Sequence, residues 1–140
     1  MSSAENKALV QRYFALVNDG QLDTLGEELF APEYQLHLDL ATDLDRSGTI
    51  GLITKFLVAF PGLLHTIEDQ FAAGDRVGTR IVVRGTHQGD LMGLAPTGKE
   101  VAFGAIYIHK IKNGRIVEQW VVSDRLGMMQ QLGVVPAPGG

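Results

Sequence analysis

The hydrophobic period of this chain changes once, near Pro61, and that change does most to fix its architecture. Before it, apolar residues recur at helical spacing. Leu9, Val10, Tyr13, Phe14, Leu16 and Val17 share one face of a segment opened by Ser2-Ser3-Ala4-Glu5, a capping-box pattern, and closed by Gly20. A shorter helical stretch carries Leu22, Leu25, Leu29 and Phe30 and ends at Pro32. A third starts from Ser47, carries Ile50, Ile53, Phe56, Leu57 and Phe60, and stops at Pro61, whose ring and missing N–H interrupt a helix. From His65 onward β-branched and alternating residues take over. Strands are expected over 65–73 and 76–88, about a Gly74-Asp75 turn, and over 100–111 and 115–123. A Gly- and Pro-containing loop, 89–98, separates the two pairs. The second pair is joined by Lys112-Asn113-Gly114-Arg115, whose Asn-Gly suits a type I′ hairpin. A short helix capped by Ser123 or Asp124 closes the pattern. Helices first and antiparallel strands second predict an α+β fold, a curved antiparallel sheet with the N-terminal helices on one face.

At 140 residues the chain is sized for one domain, expected over 1–133, with a flexible Pro/Gly tail at 134–140. Hydrophobic residues make up 45% and charged ones 20%, enough apolar surface to offset the entropy of ordering the chain. A formal charge of -4 and only a sparse basic turn, Lys110, Lys112 and Arg115, argue against nucleic acid as a partner. The absence of cysteine excludes disulfides and a thiolate nucleophile. Residues 1–20 are amphipathic and charged throughout, unlike a signal peptide, and no apolar run is long enough to span a bilayer. A cytoplasmic protein without membrane contact is the expectation. In the strand expected over 100–111 both parities are largely apolar: Val101, Phe103, Ala105 and Tyr107 on one, Ala102, Ile106 and Ile108 on the other. A sheet apolar on both faces needs two partners, so helices are expected on one face and a second copy of the chain, a homodimer, on the other.

Phe60-Pro61-Gly62-Leu63, Gly74-Asp75-Arg76-Val77, Arg84-Gly85-Thr86-His87-Gln88-Gly89 and Gly93-Leu94-Ala95-Pro96-Thr97-Gly98 form a run of motifs. It continues in Asn113-Gly114-Arg115-Ile116-Val117-Glu118-Gln119-Trp120 and Asp124-Arg125-Leu126-Gly127. In order and spacing the run resembles the SnoaL-like polyketide cyclase family. The resemblance implies a cone of bent sheet and helices like that of nuclear transport factor two, usually dimeric, with a ligand pocket inside. It also implies, for the family's ring-closing aldol enzymes, an aspartate on the last strand acting as general acid/base with a histidine and a glutamine on the strand before, and no metal or cofactor. Those three positions fall on Val121, Tyr107 and Ala105. Valine neither takes a proton nor stabilises an enolate, so that mechanism does not carry over.

Other residues are candidates in their place. Counting back from the hairpin turn pairs His109 with Glu118, Tyr107 with Trp120 and Phe103 with Asp124, all on one face, provided no bulge shifts the register. His109 beside Glu118 reads as an oriented general base or as an exposed ion pair near a hairpin tip. Tyr107 reads as a hydrogen-bond donor to an oxyanion or as packing, and Trp120 as an aromatic ligand wall or as core. Asp124 reads as a pocket carboxylate or as a helix cap. His37 and Asp39 alternate with Leu36, Leu38 and Leu40, which are expected to face the core, and form a second acid/base candidate pair or a solvated strand face. His87 reads as structural more readily than as catalytic. Phe14 and Phe56 complete the expected substrate lining with Tyr107 and Trp120. No metal-ligand spacing, phosphate loop, nucleophile elbow or dinucleotide fingerprint occurs, so neither metal nor cofactor is expected. Two functions stay open: a cofactor-independent acid/base enzyme (cyclase, isomerase, dehydratase or hydrolase) acting on a hydrophobic carbonyl or polyketide-like molecule, or a non-catalytic dimer that binds an apolar small molecule.

Overall fold

Ser2 opens the first helix with a reciprocal cap: its Oγ accepts from the Glu5 N–H and its own N–H donates to Glu5 Oε1, both at 3.1 Å. We describe the chain from a computed structural model covering residues 2–38 and 40–136. Helix α1 (Ser3–Asn18) buries Val10, Tyr13, Phe14, Leu16 and Val17, the face its spacing marks out. A single α-turn, α2 (Leu22–Thr24), runs into a π-helical turn, Leu25–Leu29, and the chain then enters strand β1 (Phe30–His37). The helix expected to reach Pro32 therefore ends earlier, because Phe30 already turns to extended backbone and stacks on Tyr34 with ring centroids 3.9 Å apart. Pro32 sits where the pairing of β1 is irregular, a place that loses nothing by lacking an N–H. Strand β2 (Asp43–Leu44) is short, and helix α3 (Arg46–Ala59) follows, capped by Asp45, whose Oδ1 accepts from the Gly48 N–H at 2.8 Å.

Strands β3 (Leu64–Ala73), β4 (Arg76–Thr86), β5 (Glu100–Lys112) and β6 (Arg115–Ser123) follow, and helix α4 (Arg125–Gln131) packs back on β5. One six-stranded sheet results, in the order β2-β1-β6-β5-β4-β3. It is mixed, not wholly antiparallel: β1 lies parallel to β6, and every other pair is antiparallel. The β5–β6 turn is the expected one, with Asn113 and Gly114 both at positive φ, 52° and 74°. Of the expected tail, residues 137–140 lie outside the described residues.

The concave face of the sheet carries Val101, Phe103, Ala105, Tyr107, His109 and Ile111 of β5 inward, while Ile106 and Ile108 point out from the convex face. Helix α1 covers β3 and β4, and α3 leans on β1 and β2. Between them Phe103, Tyr107, Val121 and Ser123, all inward, stay partly exposed. These inward residues are the part of the concave face that the helices leave partly uncovered.

Candidate active site

A bulge on β6, where Val117 is the extra residue opposite the Lys110–Ile111 step of β5, shifts the two strands by one residue. The pairing counted back from the turn is therefore corrected beyond Ile111 and Ile116. His109 faces Gln119, Tyr107 faces Val121, Ala105 faces Ser123, and Trp120 lies opposite Ile108 on the convex face. The histidine expected beside Glu118 has no carboxylate near it. Instead His109 is fully buried with no hydrogen-bond partner for either ring nitrogen, and burial pushes its pKa down to about 3, so the ring is neutral.

Around His109 lies an aromatic and amide cluster. The Tyr107 ring stacks parallel to it at 5.7 Å, Tyr13 meets it edge-on at 4.9 Å, and Phe14 stands edge-on to both Tyr107 (5.1 Å) and His109 (6.0 Å). Tyr34 donates to Gln119 Oε1 (2.8 Å), and Gln119 Nε2 donates to the Tyr13 hydroxyl (3.1 Å). Burial raises the pKa of Tyr13 to about 12 and raises those of Tyr34 and Tyr107 as well, so all three remain phenols. The enclosed apolar pocket expected of the cone is thus largely plugged at its floor by its own rings. What remains open is the strip where Phe103, Tyr107 and Val121 are partly exposed.

Tyr107 is the polar group of that strip. Its hydroxyl bonds to no described residue and is not among the buried unpaired atoms. Ala105, Tyr107 and Val121, the positions matched to the family's acid/base set, do share the concave face. Phe14 is buried and packs beneath Tyr107, and Phe56 on α3 is partly buried against the core.

The remaining expected site residues lie elsewhere. Asp124 is exposed and caps α4, its Oδ1 accepting from the Gly127 N–H at 2.8 Å. Leu36 is buried as expected, but Leu40 is fully exposed because the chain has already left the sheet after β1. Asp39, expected to partner His37, lies outside the described residues. His37 meets two other carboxylates, Asp43 Oδ1 at 2.7 Å from Nδ1 and Glu118 Oε2 at 3.0 Å from Nε2. Carboxylates only accept, so both ring nitrogens carry protons, and the Asp43 and Glu118 bonds raise the pKa of His37. This imidazolium stacks on Trp120 at 5.3 Å, Arg76 covers the same indole at 5.2 Å, and all three lie on the convex side. His87 is buried at the loop before β5. Its Nδ1 accepts from the Thr97 N–H at 3.1 Å, which leaves the proton on Nε2.

His65 and Asn18 escaped the sequence reading. Asn18 at the end of α1 pairs with the backbone of β3: its Oδ1 accepts from the His65 N–H (2.8 Å) and its Nδ2 donates to the His65 carbonyl (3.0 Å). The same Oδ1 also accepts from His65 Nδ1 (2.9 Å). No local signal ties Asn18 to a residue 47 positions on. Among the described residues no group of three or more His, Asp or Glu side chains is placed to hold a metal, and no helix is long and apolar enough to cross a membrane.

The family model of SnoaL-like polyketide cyclases matches residues 7–132. Among solved structures, AclR from Streptomyces galilaeus, a presumed hydroxylase, is 30% identical, with 97% of this chain and 85% of that chain covered and a TM-score of 0.89. IdmH from Streptomyces antibioticus, a presumed polyketide cyclase, is 35% identical, with 91% and 98% covered and a TM-score of 0.82. A presumed polyketide cyclase from Acidithiobacillus ferrooxidans is 27% identical, with 96% and 99% covered and a TM-score of 0.82. No curated protein matches the chain.

Proposed function

The chain belongs to the SnoaL-like polyketide cyclase family, and from that premise we propose that it is a cofactor-independent acid/base enzyme, a cyclase, isomerase, dehydratase or hydrolase, acting on a hydrophobic carbonyl or polyketide-like molecule held against the concave face. The supporting observation is Tyr107, a phenol with an unspent hydroxyl in the open strip between Phe103 and Val121, stacked over an imidazole that also lacks partners. An apolar carbonyl compound lying on Phe103 and Val121 would set its oxygen where the Tyr107 O–H donates. Negative charge developing on that oxygen would be stabilised by a donor already held in place by the rings packed around it. His109 beneath it, neutral and dry, holds one N–H and one lone pair in reserve for a ligand that parts the rings. The convex cluster of His37 and Trp120 has no part in this chemistry. It belongs with the apolar residues beside it to the face by which the chain, on this reading, forms a homodimer.

The test is Tyr107→Phe, which keeps the ring packing and removes only the donor. Turnover of a hydrophobic ketone should fall about 100-fold or more, with the melting transition kept. Full turnover in this variant rules out the oxyanion role. The second reading, a non-catalytic small-molecule binder, draws on Val121 and Ala105, where the family's acid/base groups would stand. Under it, apolar ligands bind with no proton transfer by the wild-type chain, and Tyr107→Phe weakens binding alone.

A further inference from the structure

A donor to the carbonyl oxygen does not by itself move a proton, and the acid/base reading leaves the proton acceptor unassigned. Resting on that reading, we propose that His65, positioned by Asn18, is the base that takes a proton from a carbon or hydroxyl of the bound carbonyl compound. Asn18 holds His65 in a way that fixes which nitrogen is free. The two backbone bonds, from the His65 N–H to Oδ1 and from Nδ2 to the His65 carbonyl, set the orientation of the Asn18 amide without reference to the ring. The Oδ1 so placed can only accept from His65 Nδ1, at 2.9 Å, so Nδ1 carries the proton and the lone pair is on Nε2. Nε2 has no partner among the described residues and is not a buried unpaired atom. His65 lies on the concave face opposite Val83, which in turn faces Phe103, and its ring stands 6.0 Å from that of Phe14, the residue that also meets Tyr107. Base and oxyanion donor thus flank one aromatic ring. Burial keeps His65 neutral above about pH 4, ready to accept.

The step balances within one substrate. The Nε2 lone pair bonds the proton, the C–H pair moves into the carbonyl to give an enolate whose oxygen accepts from Tyr107, and the proton then leaves Nε2 for another atom of the same molecule. A histidine serving only to clip α1 to β3 needs none of this, because the clip uses its backbone.

Deuterium exchange at the α-carbon of α-tetralone, followed by proton NMR with the full chain in heavy water, separates the two roles. The wild-type chain should accelerate exchange, and His65→Gln, which keeps the backbone clip, should lose about 100-fold or more of that acceleration with an unchanged melting temperature. Asn18→Asp should raise the pH midpoint of exchange, since a carboxylate behind Nδ1 makes the ring more basic. Ring nitrogen shifts of labelled histidine should show His65 protonated at Nδ1. Exchange abolished by Tyr107→Phe but intact in His65→Gln, or a ring protonated at Nε2, overturns the assignment of the base and leaves the enzyme reading standing. No acceleration by the wild-type chain overturns both.

Discussion

His37 donates from both ring nitrogens to carboxylates whereas His109 has no partner for either, and the two answer pH in opposite directions. His37 has its folded pKa raised above 6.5, so its contribution is fully present below 6.5 and is lost as pH rises through the folded value. His65 and His109, held neutral until about pH 4 and about pH 3, work the other way. As pH falls below 6.5 the unfolded chain takes up protons that the folded chain refuses. Stability therefore drops by about 1.4 kcal/mol per pH unit for each such proton. Urea denaturation between pH 7 and pH 4.5 should show that fall. His109→Leu should flatten it by about one proton and should cost little at pH 7, since an apolar side chain of similar size relieves two buried unpaired nitrogens. His37→Gln should instead remove the loss on the alkaline side. An acid slope unchanged in His109→Leu would mean that the ring is solvated in the folded protein.

The β5–β6 hairpin shows at the level of elements what local sequence encodes and what it omits. Asn113-Gly114 announces its own turn, because few residue pairs take two successive positive φ values at low cost, and the strands on either side begin in the expected register. Gly114→Ala should cost about 1–2 kcal/mol, read from the denaturation midpoint, by forcing a Cβ into left-handed backbone. The bulge at Val117, just after the turn, announces nothing. Ile116 and Val117 look like any strand residues, yet the extra one, Val117, exchanges Glu118 for Gln119 opposite His109 and sends Trp120 to the outer face. A proposed ion pair and a proposed ligand wall are removed by that single shift. The same limit explains β1, whose extended character was legible in the alternation of Leu36 and His37 while its parallel pairing with β6 was not, since the partners lie more than 80 positions apart. The helix caps at Ser2 and Asp124 were legible because capping is decided within three residues.

Taken whole, the sheet has a concave face, where the proposed chemistry would lie, and an apolar convex one, and β5 supplies both by alternation: Tyr107 points into the cone and Ile106 and Ile108 out of it. The outward set continues across the neighbouring strands in Phe71 and Val122, 66% and 76% exposed, an apolar area on a molecule whose remaining sheet surface carries Arg76, Arg80, Lys110 and Glu118. Such a patch is costly in water and self-complementary in kind, which favours a two-fold pairing of the sheets through this face. Light scattering should therefore give about twice the 15.2 kDa chain mass. Val122→Glu, which sets a carboxylate in the middle of the apolar patch, should return the monomer with its circular dichroism intact, because Val122 is 76% exposed and supports little inside the fold. A monomeric wild-type chain would refute the pairing and leave the concave face untouched. Because His37 and Trp120 stand on the same convex side, the dimer should also weaken as pH rises past the titration of His37, when the carboxylates of Asp43 and Glu118 lose the charge between them. Replacing Tyr107 should move neither the mass nor that pH response, which separates the two faces experimentally.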